Sequence, residues 1–74
     1  MNTRPKKRSL TLRGHRTSVS LEDDFWQAFR DIAERRGEPV NALAARIDEE
    51  RGSECGLASA IRLFVLEHYR KKAS

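Results

Sequence analysis

The stretch that decides the fold is His15-Arg-Thr-Ser-Val-Ser-Leu-Glu-Asp-Asp-Phe-Trp-Gln-Ala-Phe-Arg-Asp-Ile-Ala-Glu-Arg-Arg-Gly37. Its first six residues, 15–20, alternate polar and apolar with Thr and Val among them, which is the pattern of a half-buried strand. Thr17, Val19 and Leu21 point one way, and Arg16, Ser18 and Ser20 point the other. At Glu22-Asp23-Asp24 the period changes. Three carboxylates suit the positive end of a helix dipole, and Phe25, Phe29, Ile32 and Ala33 follow at i, i+4, i+7 and i+8, with Trp26 beside them. Arg35, Arg36 and Gly37 supply the basic last turn and the glycine that end such a helix. A helix is therefore expected over 23–36.

Working outward toward the C-terminus, Glu38-Pro39 suits a helix start. Val40, Leu43, Ala44 and Ile47 space a second apolar face, giving a helix over 39–51. Residues 53–56 read as a loop or a frayed cap. A third helix over 57–71 carries Ile61, Phe64, Val65 and Tyr69 on one face and closes on Lys71-Lys72. Working outward toward the N-terminus, residues 1–8 read as a flexible basic arm before a domain spanning 9–72. Leu10 and Leu12 fall on even positions whereas Val19 and Leu21 fall on odd ones, so one straight strand would turn the two pairs to opposite faces. Gly14 lies between them and is read as a kink after an irregular lead-in.

The fold class expected is mainly α with one β-strand per chain. A single strand leaves its backbone unpaired, so the same strand from a second copy is its natural partner. Chain length argues the same way. Seventy-four residues with one cysteine, Cys55, allow no internal disulfide, and a core this small is marginal alone. Neither His15 nor His68 stands at a zinc-motif spacing from Cys55, so no metal and no cofactor are expected.

The formal net charge is +4, and its distribution is uneven. Residues 1–21 hold Arg4, Lys6, Lys7, Arg8, Arg13 and Arg16 without one Asp or Glu; the remainder has eleven acidic and nine basic residues. Such a segment suits a polyanion. Catalysis finds no support: nucleophile–base pairs, glycine-rich phosphate loops and metal clusters are not apparent. Asp48, Glu49 and Glu50 are adjacent on a helix and diverge, which fits a solvated face. Cys55 is read as inert, and Trp26 as core or dimer interface rather than a base-stacking platform. With no run near ~20 apolar residues and no secretory signal pattern, a cytoplasmic protein is expected, associated with the nucleoid when bound to DNA.

In the order of its elements the chain resembles the ribbon-helix-helix (Arc/MetJ-type) DNA-binding family, in a bacterial subgroup with an extended C-terminal helical region. Residues 15–37 resemble the family strand and first helix, Gly37-Glu-Pro-Val-Asn-Ala-Leu-Ala-Ala-Arg-Ile-Asp48 its turn and second helix, and the start and end of the likeness lie near Arg8 and Arg70. Gly56-Leu-Ala-Ser-Ala-Ile-Arg-Leu-Phe-Val-Leu-Glu-His-Tyr-Arg-Lys-Lys72 also resembles a family second helix, so the chain has material for three helices where the usual domain has two. The resemblance implies a homodimer in which two strands form an intermolecular antiparallel ribbon that enters the major groove. By position, Arg16, Ser18 and Ser20 would touch base edges. Val40 and Asn41 would hold a phosphate at a helix start, and Arg4, Lys6, Lys7, Arg8, Arg13 and His15 would add backbone contacts. The expected dimer core comprises Thr17, Val19, Leu21, Phe25, Trp26, Phe29, Ile32, Leu43, Ile47, Ile61, Phe64 and Val65. The implied function is a transcriptional regulator, a bacterial-type repressor. Two alternatives are an antitoxin-like protein that also captures a protein through its C-terminal helix, and a dimerisation or protein-interaction module without DNA binding.

Overall fold

The computed structural model describes residues 4–52 and 55–73. The first three residues of the expected arm, and Ser53 and Glu54 of the expected loop, lie outside them. In chain order the elements are β1 (Lys6–Leu12), β2 (His15–Leu21), α1 (Asp23–Arg35), α2 (Val40–Glu50) and α3 (Leu57–Ala73). The expected strand and three helices are all present, with ends displaced by two residues at most.

One expectation is overturned. The chain has two strands, not one: the segment read as arm and irregular lead-in forms β1, which pairs antiparallel with β2 from Lys6↔Leu21 to Leu12↔His15. The kink at Gly14 is a two-residue hairpin turn in which Arg13 has φ 53° and Gly14 φ 82°, the positive pair that matches strand twist. This explains the parity break. Across an antiparallel pair, opposite residues share a face, and here even positions of β1 oppose odd positions of β2. Leu10, Leu12, Val19 and Leu21 therefore lie on one face after all. Three consecutive basic residues at the start of β1 hid its alternation, and Arg-Gly is a weaker turn signal than Asn-Gly.

No atom would crowd a Cβ added at Gly14, so its requirement is conformational. Gly14→Ala should cost about 1 kcal/mol through backbone strain alone. Arg13→Asn, better suited to positive φ, should recover a few tenths. Urea unfolding midpoints that shift at constant slope would report both.

Helix α1 starts after Glu22, whose backbone is extended (φ −63°, ψ 151°), with Asp23 and Asp24 in its first turn. It ends in a Schellman motif. The Gly37 N–H donates to the Glu34 carbonyl at 3.0 Å and the Glu38 N–H to the Ala33 carbonyl at 3.0 Å, with Gly37 at φ 66°. Pro39 precedes α2 as its cap rather than joining its first turn.

The sheet's apolar face and the three helices enclose one core. Val19, Leu21, Phe29, Ile32, Leu43, Ile47, Ile61 and Val65, expected to be shared across a dimer, are buried within a single protomer, joined by Leu10 from β1. Phe25, Trp26 and Phe64 are partly buried against that core. Thr17, expected among them, is exposed. Phe29 holds the centre, fully buried, with the Phe64 ring edge-on at 6.2 Å and Trp26 tilted at 6.3 Å.

Candidate nucleic-acid interface

The hairpin register sorts the basic N-terminal residues into two groups. On the face away from the helices stand Lys7, Ser9 and Thr11 of β1, directly opposite Ser20, Ser18 and Arg16 of β2. All six are exposed, and none carries a carboxylate. Arg16, Ser18 and Ser20 thus lie side by side on the outer surface, as alternation predicted. Every side chain of this face can donate a hydrogen bond.

Lys6 and Arg8 fall on the inner face. Arg8 is only 17% exposed, ion-paired with Asp23, with its guanidinium 5.6 Å from the Trp26 ring centroid. Lys6 reaches the same carboxylate at 3.4 Å. These two cations tie the hairpin to α1 and stand apart from the outer face that carries Lys7. Arg8 beside Asp23 holds that carboxyl below its ordinary range, outweighing burial, with Lys6 adding to the effect. Trp26 serves this junction and the core, as its place in the apolar stripe suggests.

Arg13 projects from the turn and pairs with Glu49 of α2. His15, opposite Leu12 at the hairpin end, is exposed. Arg4 precedes β1. Val40 and Asn41 open α2, whose first turn has no acidic residue and no side-chain cap. The Asn41 side-chain oxygen accepts the Thr11 N–H at 3.1 Å, so the start of α2 is fastened against the outer edge of β1.

That bond also fixes which edge of β2 is open. A two-residue turn makes Leu12↔His15 a hydrogen-bonded pair, and such pairs alternate along the ladder. The backbone groups of His15, Thr17, Val19 and Leu21 therefore face β1, and those of Arg16, Ser18 and Ser20 face away. The Ser20 carbonyl accepts Arg62 Nη2 of α3 at 3.3 Å, leaving a second lone pair. Arg62 also donates to Glu22 at 3.0 Å and lies 5.9 Å from the Phe25 ring centroid. Glu22's carboxyl is lowered first by a hydrogen bond from its own backbone and then by Arg62. Nothing in the sequence flagged Arg62; forty residues separate the two partners.

An open strand edge beside an acid-free outer face, with helices following, is the arrangement that a ribbon-helix-helix protein needs. A family model described as a ribbon-helix-helix domain matches residues 5–69, and the chain belongs to that family. The match begins one residue before β1 and ends within α3, so the whole hairpin and most of the third helix lie inside it. No curated protein and no solved structure matches the chain significantly.

Proposed function

We propose that this protein is a sequence-specific DNA-binding regulator that acts as a homodimer and reads the major groove with Arg16, Ser18 and Ser20. The observation that carries the reading is the outer face itself, six exposed donors without a carboxylate, on a member of a family of DNA-binding regulators. Arginine pairs bidentately with guanine, and serine donates or accepts to several bases. Arg4, Lys7, Arg13 and His15, with the first amides of α2 at Val40 and Asn41, are proposed as backbone contacts. Lys6 and Arg8 would have to leave Asp23 to join them. The role is binding rather than catalysis, and a DNA target would place the protein in the cytoplasm at the nucleoid. No helix among the described residues is long and apolar enough to cross a membrane.

Dimerisation is proposed along the open β2 edge. Arg16, Ser18 and Ser20 offer three N–H and three C=O groups there. Two copies of the edge pair antiparallel about Ser18, with Arg16 opposite the partner's Ser20. A central β2 pair and two flanking β1 strands result. Ser18→Pro tests this sharply. It removes an N–H that the hairpin does not use, as edge prolines are tolerated, but interrupts the intermolecular ladder at its centre. The variant should keep its circular dichroism yet sediment as a monomer and bind a selected operator at least ~10-fold more weakly, since one half of the contacts is lost. A parent chain that is monomeric when bound to DNA would overturn the dimer.

A second reading has its own observation. On α3 Leu63 is 60% exposed, Leu66 50% and Tyr69 38%, while Val65 turns inward. An antitoxin-like protein would use this surface to hold a protein partner; a dimerisation module without DNA binding would show no salt-dependent DNA affinity.

A further inference from the structure

The geometry points to β1 as a DNA-backbone strand, in which the hydroxyls of Ser9 and Thr11, together with Lys7, contact the phosphates that wall the major groove. This rests on the DNA-reading, β2-paired dimer proposed above.

The observations are the register and the width. Ser9 is the cross-strand neighbour of Ser18, Thr11 of Arg16 and Lys7 of Ser20. All stand exposed on the same face. If β2 pairs with its copy, the outer face has four strands in the order β1, β2, β2 of the partner, β1 of the partner. Strands lie about 4.8 Å apart, so the outermost axes are separated by roughly 14 Å. The major groove is about 12 Å wide. All four strands cannot sit on its floor. The central pair fits, and each β1 is carried out to the wall, where phosphate oxygens are the available acceptors. The residues of β1 suit that place. Ser and Thr donate to phosphate without adding bulk, Lys7 adds a point charge, and none is an acid. The Thr11 backbone is meanwhile held by Asn41, which leaves its hydroxyl on the outer face and fixes the strand's lateral position. The inner-face cations Lys6 and Arg8 are spent on Asp23, so β1 contributes to DNA through its odd positions.

Phosphate contacts and base contacts leave different signatures. The Ser9→Ala/Thr11→Val double variant substitutes exposed positions with residues compatible with a strand, and its circular dichroism reports retention of the fold. Binding to random-library selected duplexes and to scrambled ones should weaken by a similar factor, at least ~30-fold, because four hydrogen bonds per dimer to charged acceptors are lost. The selected base preference should not change. The salt slope should stay that of the parent, since no cation is removed. Lys7→Gln should lower the slope by about 1.8, two phosphate contacts per dimer at about 0.9 each. If the β1 variants bind as the parent does, while Arg16→Ala alters base preference, the inference falls and the DNA-binding reading stands. If they change base preference, the hairpin of one chain enters the groove and the inference is overturned. If the parent shows no salt-dependent DNA affinity, the DNA-binding reading falls first and this inference with it.

Discussion

Arg16→Ala/Ser18→Ala should abolish discrimination between a selected operator and random DNA while leaving the domain folded. Both side chains are exposed on the outer face of β2, and neither joins the core, so surface truncation should move stability by no more than ~0.5 kcal/mol. In DNA binding the same atoms count twice, once per protomer. A bidentate arginine–guanine contact discriminates by about 1–3 kcal/mol. Two such contacts, before the serines are considered, make the expected loss of operator affinity at least ~30-fold. Affinity for scrambled duplex should fall far less, since Lys7 and the other cations remain to supply the sequence-independent term. Competitive anisotropy titrations with operator and scrambled duplex give the ratio directly. An unchanged ratio would remove these two residues from base readout.

Phe29→Ala should remove a large share of the stability of the chain. The ring is fully buried and meets Trp26 on its own helix and, edge-on, Phe64 on the distant α3. Truncating a buried phenylalanine costs about 3–5 kcal/mol. Small domains have about 0.05–0.15 kcal/mol of stability per residue, which for a chain of this size is roughly 4–11 kcal/mol in total. Each kcal/mol moves the melting temperature of such a domain by about 4–8 °C, so a drop of at least ~12 °C is expected by circular dichroism. Phe25→Ala, at a partly buried position, should lower it less. An equal loss at the two positions would mean that Phe29 is not the centre of the core.

The helices were legible because their signals are local. The acids at 22–24, the i, i+4 and i+7 stripe and the closing Gly37 each act within a turn or two, and the observed α1 reproduces them. The outer position of Arg16, Ser18 and Ser20 was legible for a similar reason, since alternation alone assigns faces within one strand. What went astray was pairing. Parity breaks between Leu10-Leu12 and Val19-Leu21, and a kink at Gly14 accounts for the break as well as a reversal does; the chain makes the reversal, a two-residue turn that exchanges odd for even. Lys6 and Arg8 were counted with the DNA-facing cations because composition records that a residue is basic without recording which side of a sheet it occupies.

By itself, then, the sequence determined a strand followed by three helices, the polar face of β2, and a basic segment free of acids, all properties set by neighbours within a few positions. The tertiary structure decided that the strand already has a partner in its own chain, that Asp23 takes Lys6 and Arg8 from that basic segment, and that one protomer encloses its own core. Each depends on a contact between residues well separated along the chain. Such contacts follow from where a turn sends the backbone, and Arg13-Gly14, with both φ values positive, is the turn that made the difference.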